Sequence, residues 1–348
     1  MNPWKETRIT RRNALKLAGA TVIAGVVPHL ARAQSGAKPR IAWQSSAQTA
    51  SYLYARTSGV LKTAGVEVEH IKFSAGPPIF AALRSDSVDL AFFAETPAAI
   101  LMAQGIPAKV ISVAADYGGA MGLVTRKESG IRTVSDLRGK KIAVVRGSAA
   151  HFTLGAILRQ NKMSFSDVEL MSVDVTTLIP AFQNGNVDAA LYWEPWMSRL
   201  VQSGGTLLMT NWQAKQPSAT MWVARSKWLG QNEATAVAFV KGLDAVNADI
   251  RKNPSKVAAT ISEELGLDSP TLTEVLTTET RFPTLQEMLD PGYVYSIAPQ
   301  SVVAEKGLAG VLKEVAVFMT EIGTIDRVPD VTKGFAPEVA QKALQSKV

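Results

Sequence analysis

Residues Val145 to Leu158 read VRGSAAHFTLGAIL, and three of them could do chemistry. Ser148 lies where the apolar run Ile142-Ala143-Val144-Val145 gives way to helical spacing, and His151 follows three residues on. A serine with a base beside it could act as a nucleophile. The same serine could cap its helix, since a side-chain oxygen at a helix start accepts from free N–H groups. With Gly147 it could also form an anion cradle, because those N–H groups and the helix dipole favour negative charge. The nucleophile reading fails on two counts. The elbow pattern G-x-S-x-G is missing, with Ala150 at one of its glycine positions, and no third residue is at hand to orient His151. Gly147 and Ser148 are therefore read as anion contacts, a role compatible with capping.

Other polar residues stand at comparable places. Gln44-Ser45-Ser46 ends the run Ile41-Ala42-Trp43, where an amide and two hydroxyls could grip a polar head or form a solvated turn. Gly76, in Ala75-Gly76-Pro77, could let backbone N–H groups approach a ligand or simply make a turn. Pro97 suits the first position of a helix, which leaves Thr96 as its cap and a ligand-facing residue. Glu95 before it could serve structure near the helix N-terminus. Trp193 and Glu194, in Tyr192-Trp193-Glu194-Pro195-Trp196, stand at the end of another apolar run and could line a cleft, whereas Trp196 reads as core. A carboxylate at Glu194 would attract a hydrogen-bond donor and repel a bare anion, which favours a ligand such as an amino-sulfonate. Arg146 is the nearest cation to the Gly-Ser turn and could pair with an anionic head or remain a rim charge. The histidines are His29, His70 and His151, without metal spacing, and there is no cysteine, so no metal or other cofactor is expected.

The elements that must position these residues repeat along the chain. Apolar β-like runs alternate with helical patterns, which argues for α/β units on mostly parallel sheets. RIAWQSSAQTASYLYA from Arg40 and KIAVVRGSAAHFTLGA from Lys141 are each a strand with Ile-Ala, a small polar loop and a helix. AALRSDSVDLAFFAETPAAIL from Ala81 and PAFQNGNVDAALYWEPWMSRL from Pro180 each run through a helix, a polar turn, Val-Asp, a strand, then Glu and Pro. The spacings from Asp89 to Glu95 and from Asp188 to Glu194 are the same. Two matches in one order predict two similar α/β lobes. Ligands of open α/β sheets sit outside the carboxyl ends of strands, so facing lobes make a cleft. Leu123-Val124-Thr125-Arg126 and Trp222-Val223-Ala224-Arg225 read as paired crossing strands that act as hinges. The expected division is 38–124 with 226–348 for lobe one and 125–225 for lobe two. After Arg225 the pattern is helical, interrupted by Pro254, Pro270 and Pro283, and is expected to wrap back onto lobe one.

The first residues carry an address. Arg11-Arg12, an apolar run from Leu17 to Val27, Pro28 and Ala31-Arg32-Ala33 have the layout of a secretory signal over residues 1–33. The paired arginines resemble the twin-arginine export motif, with Ala14 where phenylalanine is usual; an ordinary secretory signal is the alternative. The run is too short for a membrane span, which needs about 20 residues. Of the 37 basic and 30 acidic residues, six and one lie in this leader, leaving 31 against 29, a formal charge of +2. No basic run or basic–aromatic interleaving then remains to suggest nucleic acid. Without cysteine there is no lipid-modified N-terminus, so the mature chain is expected to be freely soluble outside the cytoplasm.

FSAGPPIFAAL, VDLAFFAETPAAILMAQGIPAKVIS, SGIRTVSDLRGKKIAVVRGSAAHFTL and AFQNGNVDAALYWEPW resemble the nitrate/taurine/aliphatic-sulfonate family of periplasmic solute-binding proteins. The resemblance covers roughly 39–229 and extends to the C-terminal helices only in general pattern. It implies a two-lobed type II periplasmic binding fold, a small organic anion in the interlobe cleft, and docking of the closed form on the membrane permease of an ABC importer. Its x-G-S-x-x-H pattern implies His151 as a cleft residue, against the ordinary reading of a satisfied core histidine. A sulfonate, alkane- or taurine-like, is the expected ligand. Nitrate, a pyrimidine and an aromatic carboxylate stay open, as does a sensory role. Relatives on this fold that make the thiamine pyrimidine carry a cysteine-rich motif that this chain lacks, so no enzyme activity is expected.

Overall fold

Ten strands in two five-stranded mixed sheets form the frame of the computed structural model, which describes residues 38–346. The expected leader, 1–33, lies outside them. In chain order the strands are β1 (Arg40–Gln44), β2 (Glu69–Phe73), β3 (Leu90–Ala94), β4 (Ala108–Asp116), β5 (Met121–Arg126), β6 (Lys141–Val144), β7 (Glu169–Ser172), β8 (Ala189–Trp193), β9 (Gly205–Thr210) and β10 (Ala219–Arg225). The first sheet runs β2-β1-β3-β10-β4 and the second β7-β6-β8-β5-β9. In each, the three leading strands are parallel and the fourth is antiparallel to its neighbours. The repeated sequence patterns thus occupy equivalent strands, β1 with β6 and β3 with β8. Helices cover both faces, which is why β3 and β8 are nearly unbroken apolar runs rather than alternating ones.

The repeated Val-Asp has a structural task in both sheets. Asp89 Oδ2 accepts from the Arg40 amide at 3.0 Å, and Asp188 Oδ2 accepts from the Lys141 amide at 2.9 Å. The carbonyl of Asp89 accepts from Arg225 N and that of Asp188 from Arg126 N, each at 2.9 Å. Each aspartate therefore ties the starts of two parallel strands to the end of an antiparallel one, at the sheet edge opposite the strand ends that carry the candidate residues. Asp89 is buried and is further held by the guanidinium groups of Arg40 and Arg225.

Two expectations about the crossings change. The strands β5 and β10 do not pair with each other; each is the fourth strand of a different sheet. A boundary at 124/125 falls inside β5, which lies wholly in the second sheet, and β10 lies wholly in the first. The chain crosses at 117–120 and returns at 211–218. Close packing there needs glycine: a Cβ on Gly118 would lie 2.1 Å from the Trp212 ring, and one on Gly119 would lie 2.6 Å from Glu279 Cα.

Beyond β10 the chain is helical, as the spacing predicts. Pro254 opens the helix Pro254–Leu265 and Pro270 sits in the first turn of Ser269–Glu274, places where a missing N–H costs nothing. The helix Ser226–Lys252 packs on β10 and β4, and Pro337–Gln345 packs on both Ser226–Lys252 and β4. One helix, Gly307–Glu321, reaches further and touches Ala149–Gln160, where the Phe152 and Phe318 rings meet edge to face at 5.1 Å.

Candidate functional site

The carboxyl ends of β1, β3 and β8 point at one space between the two sheets. Gln44, Gln48, Phe92 and Tyr117 face it from the side of the first sheet, and Ser148 and Trp193 from the side of the second. The free volume is about 20 Å³, room for roughly one water molecule. The walls are tied directly across the gap. Ala47 N donates to the Glu194 carbonyl at 3.1 Å, and Ser74 Oγ to Asp174 Oδ2 at 3.1 Å. Arg199 donates to the carbonyls of Leu265 and Gly266 at 3.0 and 3.1 Å.

The Gly147-Ser148 turn is built as a helix entrance. Gly147 has φ +77, a left-handed conformation that other residues adopt at a cost of about 1–2 kcal/mol. Ser148 is the N-cap residue of Ala149–Gln160, but its side chain makes no cap bond; Oγ donates to the Val145 carbonyl at 2.7 Å. The amides of His151 and Phe152 bond back to the Ser148 carbonyl, which leaves the N–H groups of Ala149 and Ala150 without a backbone partner. Ala149 lines the space, so those free donors and the helix dipole bear on it. His151 does not line it. Its Nδ1 accepts from Gly147 N at 3.4 Å and its ring lies 4.9 Å from Phe165, so it braces the turn from behind. Burial, and then Arg146, push its pKa down. Arg146 is exposed and donates to the Leu170 carbonyl, away from the space.

The residues after β1 divide. Gln44 lines the space, and its Oε1 is buried with no hydrogen-bond partner. Ser45 turns outward and donates to the Glu264 carbonyl at 3.3 Å. Ser46 is fully buried; its carbonyl starts the short helix Ala47–Thr49, and its Oγ has no partner. Gly76 lines the space, and a Cβ there would touch the Pro97 ring at 3.4 Å. The helix Glu95–Ala103 begins two residues earlier than Pro97 suggests, with Ala94 as its N-cap. Thr96 is therefore inside the first turn, fully buried, with an unpartnered Oγ1, and is not a cap.

Trp193 is nine-tenths buried, lines the space and carries an Nε1–H without an acceptor. Glu194 is turned away. Its carboxyl accepts from Ser198 N at 3.2 Å and Ser198 Oγ at 2.9 Å, and none of it is exposed. Burial, and then the charge of Glu279, push its pKa up to about 8. Glu95, its counterpart at the end of β3, is likewise fully buried, takes the Tyr117 hydroxyl at 3.3 Å, and is pushed up to about 8 by burial. Burial favours the neutral form of both carboxyls. The Glu194 carboxyl is held by Ser198 and does not line the space, so in this arrangement it meets neither an anion nor an amine there.

Sequence reasoning missed Gln48, Tyr117, Phe92 and Thr220. The signal for Gln48 was present: a second glutamine four residues after Gln44, at the start of an otherwise apolar helical stretch. Its Nε2 is buried without a partner, opposite in kind to Gln44 Oε1. Tyr117 lies in the crossing itself, and its hydroxyl donates to Glu95, which leaves its oxygen free to accept. The set is one of buried neutral donors and acceptors with aromatic walls, and no cationic side chain lines it. It can hold a small polar head by hydrogen bonds, and it has no nucleophile–base pair. Among the described residues no three histidine, aspartate or glutamate side chains converge as metal ligands.

Known proteins share this frame and this sequence. The taurine-binding periplasmic protein of Escherichia coli is 30% identical over 205 residues, 58% of this chain and 62% of that protein. The periplasmic aliphatic sulphonate binding protein SsuA of Escherichia coli superposes with a TM-score of 0.69 at 22% identity, over 86% of this chain and 91% of that one. The alkanesulfonate-binding protein SsuA of Xanthomonas axonopodis pv. citri, bound to MOPS, superposes with a TM-score of 0.66 at 21% identity, over 80% and 96% of the two chains. Those structures show the periplasmic binding protein fold. The NMT1/THI5-like family model matches residues 46–257, more than half of the chain, and the protein belongs to that family.

Proposed function

We propose that this protein is the periplasmic receptor of an ABC-type importer and that it closes on a small organic sulfonate. The observation that carries the reading is the cluster of buried polar atoms without partners. Gln44 and Gln48, with idle Oε1 and Nε2 atoms, line the gap together with Trp193, whose Nε1–H is idle, and Ala149, whose N–H has no backbone partner. Native proteins rarely leave buried polar groups unpaired, and each costs about 1–3 kcal/mol, so such a cluster is best explained by a partner that arrives from outside. Donors outnumber acceptors there, which suits a sulfonate with its three acceptor oxygens. The flanking carboxyls of Glu95 and Glu194, whose neutral form burial favours, do not oppose it. Relatives named for taurine and alkanesulfonates support the same ligand class.

The ligand roles of Gln44, Gly76, Gly147, Ser148 and Trp193 belong to this proposal. Ser46 and Thr96 do not line the space, and their hydroxyls are buried without partners, next in the chain to Ala47 and Pro97. Ser45, His151 and Glu194 support the walls. The receptor works as a monomer and hands its ligand to a membrane permease without chemistry. Export by residues 1–33, through the twin-arginine route, accounts for the leader pattern.

Calorimetric titration of the chain from Gln34 onward with ethanesulfonate, taurine, nitrate and benzoate tests the ligand class. Tightest binding is expected for ethanesulfonate, with no product in any mixture. Binding of nitrate or benzoate alone would overturn the sulfonate assignment, and turnover of any of the four would overturn the receptor role.

A further inference from the structure

A second pocket, about 430 Å³ in volume, lies apart from the cleft. It is bounded by the C-terminal end of the Ser226–Lys252 helix, the π-helical turn Val275–Glu279, and the segment running to Tyr293. None of its lining residues lines the cleft. Its size is within the range of small-molecule sites, and two arginines stand against one carboxylate in its lining, Arg251 and Arg281 with Glu287. The carboxylate of Glu287 pairs with Arg251, whose guanidinium also donates to the Phe282 carbonyl at 2.8 Å. Arg281 has no carboxylate within salt-bridge distance among the described residues, and its guanidinium lies 5.1 Å from the Trp212 ring centre. One positive charge is therefore left over.

Two hydroxyls complete the set. Thr280 is 3% exposed and its Oγ1 is buried with no hydrogen-bond partner. The Tyr293 hydroxyl is also buried without a partner. Burial raises its pKa, so it remains a donor across the physiological range. The Thr277 hydroxyl, by contrast, is spent on the carbonyls of Thr273 and Glu274. Of the other carboxylates, Glu279 stands next to Thr280 in the chain but does not line the pocket, and its buried Oε2 has no hydrogen-bond partner. Asp244 accepts from Leu285 N, and Asp116 Oδ1 accepts from Gly118 N and Trp212 Nε1. An unpaired guanidinium with two idle hydroxyl donors is a donor set for an oxyanion.

We propose that this pocket is a second site, one that binds a tetrahedral oxyanion such as sulfate or phosphate through Arg281, Thr280 and Tyr293, with Arg251 at its rim. The site adjoins the lobe crossing. Arg281 and Asp116 exchange backbone hydrogen bonds of 2.7 and 2.9 Å, and Asp116 is the last residue of β4 before the chain crosses. An anion held by Arg281 would bear on that junction without entering the cleft.

The test is titration of the protein with sodium sulfate and sodium phosphate at low ionic strength, in the unaltered chain and in three variants. Arg281→Gln and Thr280→Val should each weaken saturable binding, Arg281→Gln by about tenfold or more, the loss of one charge-assisted contact. Gln48→Leu, in the cleft, should leave it unchanged. Ethanesulfonate affinity should be unaffected by Arg281→Gln, and unchanged melting of that variant would show that it folds. Absence of saturable binding of either anion up to tens of millimolar would overturn the proposal. So would binding that survives Arg281→Gln and Thr280→Val but is lost in Gln48→Leu, which would put the anion in the cleft.

Discussion

The backbone N–H of Ala47 donates to the carbonyl of Glu194 at 3.1 Å, joining the loop after β1 to the end of β8. The two residues follow Ser46 and Trp193, so this bond clamps the walls beside the candidate site. Ala47 is the first residue of a short 3-10 helix, and Ser46 before it is extended (φ −155, ψ 151), a conformation that a following proline accepts. Ala47→Pro should therefore fold normally while losing only the clamp. The expected result is ligand affinity weakened by about fivefold, the worth of one net hydrogen bond of about 1 kcal/mol. Small-angle scattering of the ligand-saturated variant should show a larger radius than the parent.

Trp193→Phe keeps the aromatic wall and removes the idle Nε1–H. Calorimetry should find ethanesulfonate affinity reduced by about tenfold, with stability little changed because no protein bond is lost. Gln48→Leu removes a buried polar atom that has no partner in the protein. It should raise the melting temperature while reducing affinity, an opposite pair of effects that a purely structural glutamine would not give.

The carboxyls of Glu95 and Glu194 carry pKa values raised to about 8, and Glu279 one raised to about 7, all through burial first. An unfolded glutamate releases its proton near pH 4.3. Between about pH 5 and pH 8 the native chain holds protons that the unfolded chain has lost, so stability falls as pH rises through that window. Denaturation followed across pH 5 to 9 should show this decline, and Glu95→Gln with Glu194→Gln should flatten it. Sulfonate affinity should fall above about pH 8 as the two side chains acquire charge.

Asp89 and Asp188 make matching bonds but differ in surroundings. Asp89 is buried with two arginines, and breaking a buried pair from one side costs roughly 3–5 kcal/mol. Asp188 is only half-buried and accepts from a single amide, so about 1 kcal/mol is at stake. Chemical denaturation should rank Asp89→Asn well below Asp188→Asn. Neither should alter affinity, since both lie at the sheet edges away from the cleft.

The alternation of apolar runs and helical spacing, and the repeats around Ile41-Ala42 with Ile142-Ala143 and around Asp89 with Asp188, determined two α/β sheets of the same strand order. These are local patterns, and local patterns set which segments become strands. They also brought Gln44, Gly76, Ser148 and Trp193 to strand ends, where the structure finds them around one space. Direction was another matter. Ser45 turns to Glu264 while Gln44 beside it faces inward, because successive side chains of extended backbone point to opposite sides. Tyr117 and Thr220 reach the site from segments about a hundred residues apart, brought together only when β10 returns to the first sheet. The ionisation of Glu194 is beyond local pattern for the same reason: it depends on burial and on Glu279, far along the chain, and a carboxyl's proton answers to its surroundings in space.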